Sequence, residues 1–215
     1  MIITPTGFKN VKFYGLQLDD FILYKSYFPT LRNGVFLEMG AFDGVYLSNT
    51  KFFEDFSGWS GVLIEPLANE YQKLIKNRPN CKCYNYAVSS QVGEIELYSN
   101  GEVSSVKDNT IDEFYDEYHK SKNAQIIKVP TKRLDTILHH AGVTRIDLWS
   151  LDIEGSEYEA LETMDWSIPV YLIYMELQYP DKKERCHATL LANGFKMVQE
   201  YGINEVWINP ANQRK

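Results

Sequence analysis

The chain lacks most of the features that assign a protein at a glance. It has three cysteines, an odd number, and Cys81 and Cys83 stand too close in an extended segment to pair easily, so no disulfide framework is expected. No Cys/His group has zinc spacing, because Cys186 and His187 are adjacent and alone. The longest apolar run, Val170–Met175, is about a third of a membrane span, which excludes membrane insertion by that route. The start, Met1-Ile-Ile-Thr-Pro5, lacks a basic stretch followed by an apolar one, so no signal peptide is expected. The reading is a soluble domain of a reduced, cytoplasmic compartment. Basic charge is scarce, 22 residues against 29 acids for a net −7, which makes nucleic acid a poor partner.

What the chain does have is material for a core. Of its 215 residues, 44% are hydrophobic and 14% aromatic, which excludes a disordered chain and fits one domain over residues 1–215. Short apolar runs alternate with helical periodicity. Val35–Leu37 ends at a glycine-containing loop, and Ser48 is placed to cap a helix running to about Phe56. Gly61–Ile64 reads as a buried strand, followed by Leu67, Tyr71, Leu74 and Ile75 at helical spacing. Cys83–Val88 and Ile95–Tyr98 are strand-like. Thr131 reads as the cap of a helix bearing Leu134, Ile137, Leu138 and Ala141, closed by Gly142. Ile146–Leu151 and Val170–Met175 are further strands, and Ser156-x-x-Glu159 between them resembles a capping box. A helix through Leu190 stops at Gly194, and Phe195–Tyr201 with Glu205–Ile208 make a closing hairpin. This alternation predicts an α/β fold with an open, mostly parallel sheet and a C-terminal antiparallel hairpin, preceded by a helical segment over 1–33.

In such sheets the ligand sits at the carboxyl ends of the strands, and here those ends carry acids. Glu38-Met-Gly-Ala-Phe-Asp-Gly44 follows the first strand. Its E-x-G-x-x-x-G pattern lacks the third glycine of the dinucleotide motif, and an acid at Glu38 suits an ammonium or a sulfonium. Glu65 ends the second strand, where a carboxylate can accept two hydrogen bonds from a ribose diol; otherwise it is a surface acid ahead of Pro66. Asp152 follows a buried strand and should face the cleft, whereas Glu154 and Glu157 read as first-turn acids complementing a helix dipole. Glu176 ends the next strand. With Asp152 it could hold a hard divalent cation, Mg²⁺ or Mn²⁺, or act as base on a hydroxyl; failing that, it would pair with a cation such as Arg185.

Six ordered segments now carry a resemblance: Phe36–Gly44, Ser48-Asn-Thr50, Ile64-Glu-Pro66, Asn85–Val88, Val129-Pro-Thr with Arg133-Leu-Asp135, and Leu151–Glu157. Together, over roughly residues 34 to 178, they resemble the FkbM family of methyltransferases. The resemblance implies a class I fold, S-adenosyl-L-methionine as donor, and O-methylation, often of sugars or sugar-bearing natural products. By the same resemblance Glu38, Gly40, Ala41, Asp43 and Gly44 surround the methionine part of the donor, with Ser48, Asn49 and Thr50 at the same end. Glu65, with Pro66 behind it, holds the ribose; Ala87 and Val88 lie by the adenine; Asp152 lies beside the reacting methyl.

The expected reaction is in-line displacement at the methyl, with Asp152 and Glu176 removing the acceptor's proton directly or through the metal. His187 is a second candidate base, its alternative being a structural role on its helix. Residues 99–123 are too long for an ordinary loop and are expected to form an acceptor-binding lid or an inserted helix that covers the sheet edge. There Thr110-x-x-Glu113 resembles a capping box, Ile111, Phe114, Tyr115 and Tyr118 share a face suited to a sugar, and Ser105 approaches the donor. The expected acceptor is a carbohydrate or another hydroxyl-bearing molecule. Competing readings are a nicotinamide-dependent oxidoreductase and a non-catalytic nucleoside-binding module.

Overall fold

A computed structural model describes residues 11–178 and 180–214, with the side chain of Asp181 left aside. Eleven strands follow one another along it. They are β1 Val35–Met39, β2 Ser60–Ile64, β3 Lys82–Tyr84, β4 Ala87–Val88, β5 Gly93–Ser99, β6 Ser105–Val106, β7 Gln125–Lys132, β8 Ile146–Leu151, β9 Val170–Glu176, β10 Lys196–Tyr201 and β11 Asn204–Ile208. The helices are α1 Asp19–Tyr27, α2 Lys51–Ser57, α3 Ala68–Asn77, the short α4 Asp112–Phe114, α5 Leu134–Ala141, α6 Glu157–Glu162 and α7 Pro180–Ala192.

Seven strands form one sheet in the order β10-β11-β9-β8-β1-β2-β3. Every pairing from β9 to β3 is parallel, and β11 enters antiparallel between β9 and β10. The result is an open, mostly parallel sheet with a terminal antiparallel hairpin, as the sequence predicts. Chain order reverses between β1 and β8, so the loops leaving these two strands diverge and open a crevice at their carboxyl ends.

The sheet is apolar on both faces because both are covered. Leu37, Met39, Trp149, Leu151, Ile173 and Met175 pack with α5, α6 and α7. Their neighbours of opposite parity, Phe36, Leu63, Leu148, Leu172 and Tyr174, pack with α1, α2 and α3. Glu38 and Glu176 share this second parity, and Asp152, one residue past β8, continues it.

Several local readings are corrected. Cys83–Val88 is two strands: β3 joins the large sheet, and β4 starts a second sheet ordered β4-β7-β5-β6. Thr131 lies in β7, and Arg133 occupies the cap position of α5. Thr110 does not cap α4; its hydroxyl bonds Ser105 and the Val106 carbonyl. Ser156 does precede α6, but its hydroxyl accepts from Asn109 (2.8 Å) instead of from the helix. Ser48 does meet its helix, its Oγ accepting from Lys51 N at 3.0 Å. Of the expected helical segment over 1–33, residues 1–10 lie outside the described residues and the remainder carries α1. No helix among the described residues is long and apolar enough to cross a membrane.

Candidate functional site

A cleft of about 940 Å³, solvent at its mouth included, opens over the carboxyl ends of β1, β2 and β8. At its floor the chain turns sharply after β1 through Gly40, whose φ is +76°. A Cβ there would stand 1.9 Å from the Asp152 carbonyl oxygen, so only glycine lets the two loops meet. Phe42, also left-handed at φ 47°, sends its N–H to Glu65 Oε2 at 2.8 Å. The other Glu65 oxygen accepts from Leu67 N at 2.7 Å. Each oxygen keeps a lone pair for a further donor, as a ribose diol requires. Burial nevertheless dominates the amide bonds and raises the Glu65 carboxyl to about 7.

Of the residues expected to bind the donor, Gly40, Ala41, Ser48, Glu65, Pro66, Ala87, Val88 and Asp152 line this cleft. The others stand behind the lining. Glu38 is buried, its carboxylate accepting from Ser48 Oγ, Asn49 N and Thr50 Oγ1 at 2.7 to 3.0 Å, with Arg78 Nη1 at 3.5 Å. Asp43 Oδ1 accepts from Val45 N and Tyr46 N and so shapes the turn through Gly44. Asn49 Nδ2 donates to Ser150 Oγ at 3.0 Å. Ser105 is buried against Thr110 and His119, while its neighbours Ser104 and Val106 face the cleft. His187 lies away from it, its Nε2 at 2.8 Å from Glu205 and its ring 4.9 Å from that of Trp207.

Asp152 stays open to the cleft, and carboxylate oxygens of Asp152, Glu154 and Glu176 come within 4.8 Å of one another. Glu154 reaches this trio because its own backbone is left-handed, φ 52°, just before Gly155. It is therefore not the first-turn acid that the sequence suggests; the Glu-Gly step after Asp-Ile was the available signal. Glu157 is a first-turn acid of α6, as expected, and its carboxylate folds back to accept from Ile153 N and Gly155 N at 3.1 Å each. Loss of solvation inside the cleft, then the Glu38 charge, raises the Asp152 carboxyl above the ordinary aspartate range. Burial first and the neighbouring carboxylates second push Glu154 and Glu176 up as well. Arg185, the expected partner of Glu176, lies 3.7 Å over the Tyr158 ring instead. Three carboxylates so placed can take protons, or hold one hard cation through oxygen ligands.

The opposite wall is apolar, made by Ile64, Ala87, Val88, Leu97 and Val106. Residues 99–123 contribute Gly101, Glu102, Ser104 and Val106 to it. Their tyrosines do not: Tyr115 packs on Tyr98 at 5.0 Å and Tyr118 on Phe114 at 4.6 Å. The cleft's aromatic rings are Phe42, Tyr46 and Tyr86.

Comparison with known proteins adds to this picture. The sequence model described as the Methyltransferase FkbM domain matches residues 38–201. No curated protein matches the chain. Among solved structures, Aeropyrum pernix fibrillarin with bound S-adenosyl-L-methionine is 10% identical, with a TM-score of 0.48, over 89% of this chain and 72% of that one. A TehB-like S-adenosylmethionine-dependent methyltransferase from Corynebacterium glutamicum is also 10% identical, at 0.46, over 94% and 90%. A ribosomal protein L11 methylase from Lactobacillus delbrueckii subsp. bulgaricus is 8% identical, at 0.47, over 89% and 76%.

Proposed function

The chain belongs to the FkbM methyltransferase family, and from that premise we propose that it methylates a hydroxyl oxygen, most readily of a sugar or glycan, with S-adenosyl-L-methionine as donor. The observation that carries the oxygen acceptor is Asp152, open to the cleft beside Glu154 and Glu176. The residues present suit this donor. Glu65 offers two lone pairs to ribose hydroxyls, Ala87, Val88 and Leu97 offer an apolar slot to a flat base, and the acids at the floor suit a sulfonium. The donor supplies a methyl group already activated on positive sulfur. What remains for the protein is alignment and removal of one proton.

Asp152 fits the second task. A carboxyl raised above the ordinary aspartate range is a stronger base than an exposed one, which suits a general base. Glu154 and Glu176 would assist by taking the proton onward, or the three would hold Mg²⁺ or Mn²⁺ to lower the hydroxyl's own pKa. The rings of Phe42, Tyr46 and Tyr86 in the same cleft support an acceptor with C–H faces and hydroxyls, as sugars have. Three free thiols fit a reducing compartment such as the cytoplasm.

The test is methyl transfer from labelled donor to a panel of free sugars, glycans and non-carbohydrate alcohols, with and without chelator, alongside equilibrium binding of S-adenosylmethionine and NAD. Transfer to a sugar hydroxyl supports the proposal; transfer only to nitrogen or carbon acceptors overturns it. Loss with chelator, restored by Mg²⁺ or Mn²⁺, selects the metal-assisted route.

A further inference from the structure

Two consecutive residues at the end of α3 grip two consecutive carbonyls of the loop after β1. Asn77 Nδ2 donates to the Asp43 carbonyl at 2.8 Å, and Arg78 Nη1 donates to the Gly44 carbonyl at 3.0 Å. Arg78 is fully buried, an unusual place for a guanidinium unless every donor has a partner. Its Nη1 also reaches Ser48 Oγ at 3.3 Å and Glu38 Oε2 at 3.5 Å, its Nη2 donates to Thr50 Oγ1 at 3.0 Å, and its Nε donates to Glu54. The plane lies 5.1 Å from the centre of the Phe36 ring. At Gly44 a Cβ would fall 2.7 Å from Arg78 Cγ, so the loop is moulded against this side chain.

We propose that Arg78 is the positioning residue of the donor site, and that Glu38 serves Arg78 and not the ligand. This rests on the donor reading above. The guanidinium ties both ends of the stretch from Gly44 to Thr50, whose middle residues Tyr46, Leu47 and Ser48 line the cleft. Only a planar fork can hold Gly44, Ser48, Thr50 and two carboxylates at once; an ammonium has three donors from one atom and no fork. Glu54 has a different place in the network: it pairs with Arg78 from α2 and is not itself among the residues that line the cleft.

The experiment compares Arg78→Lys, Thr50→Val and Glu54→Gln by donor binding, thermal midpoint and hydrogen exchange of amides 44–51. Arg78→Lys is expected to weaken donor binding at least tenfold and Thr50→Val about fivefold, with faster exchange confined to 44–51. Glu54→Gln is expected to lower the midpoint while leaving donor binding within threefold. Binding by Arg78→Lys within threefold of wild type overturns the assignment, as does a loss in Glu54→Gln equal to that in Arg78→Lys. If Arg78→Lys fails to fold, Thr50→Val decides, and unchanged binding overturns the proposal. Wild-type protein that binds no S-adenosylmethionine overturns the donor reading itself, and this assignment with it; wild-type binding with indifferent variants overturns this assignment alone.

Discussion

Two groups of carboxylates lie beside the large sheet, and they have opposite surroundings. Glu38 and Glu54 close on the buried Arg78, and Glu38 accepts three further hydrogen bonds. Asp152, Glu154 and Glu176 face one another, and among the described residues no lysine or arginine forms an ion pair with them. The first group is electrically satisfied by the fold and therefore gives shape. In the second, Glu154 accepts from Gln178 at 2.8 Å, but no cation among the described residues balances the three charges, which is a condition for acting on something from outside. Acids that look alike in sequence are thus separated by what lies opposite them.

The sharpest way to break this comparison is Asp152→Asn. Turnover should fall by roughly 10² to 10⁴, the range for a lost general base, while donor affinity stays within about tenfold, ~1.4 kcal/mol. Steady-state rates and equilibrium binding on the same preparation check it; retained turnover would return Asp152 to the structural class. Glu38→Gln should do the reverse of a catalytic lesion. Weakening a buried pair costs about 3 kcal/mol, the low end because Glu54 remains, so the thermal midpoint should drop by roughly 10 °C. A calorimetric scan showing no drop would mean that Glu38 is not part of a satisfied core.

Glu65 stands between the two groups, tied to two amides yet raised to about 7. On the proposed donor reading ribose hydroxyls would donate to it, so binding would need the carboxylate. In the free protein the proton is held below about 7, so donor affinity should be full above that pH and fall about tenfold per unit below it. Titration calorimetry from pH 5.5 to 8.5 should show this slope, and Glu65→Gln should flatten it. The smallest effect belongs to His187. With its Nε2 on Glu205 instead of at the cleft, His187→Gln should leave turnover within about threefold, and a loss beyond a hundredfold would bring it back as a base.

The acids that close a strand were legible because a buried run announces its own end: Ile64 before Glu65, Leu151 before Asp152, Met175 before Glu176. Gly142 and Gly194 were legible for a similar reason, each stopping a helix in the left-handed conformation that favours glycine. The second sheet was hidden. Its long strand β7 contains Pro130, which demotes a strand pattern, and its partner β4 is only two residues long. Arg78 was hidden more deeply. Its partners lie 24 to 40 positions earlier, a separation that no periodicity reports. Glu154 required one backbone angle, and sequence patterns describe helices and strands better than single residues outside both.

The pairing of β1 with β8 also has a consequence in time. Val35 N reaches Asp147 Oδ2 across 112 positions, and Gly40 rests on the Asp152 carbonyl. While the polypeptide is being made, the loop after β1 emerges long before the strand that completes its floor. Until residues near 152 leave the ribosome there is no crevice to occupy, and the apolar β1 must wait with one edge unpaired. A growing chain therefore depends on its early helices, α1 and α2, to shelter that strand during synthesis, before any ligand could help.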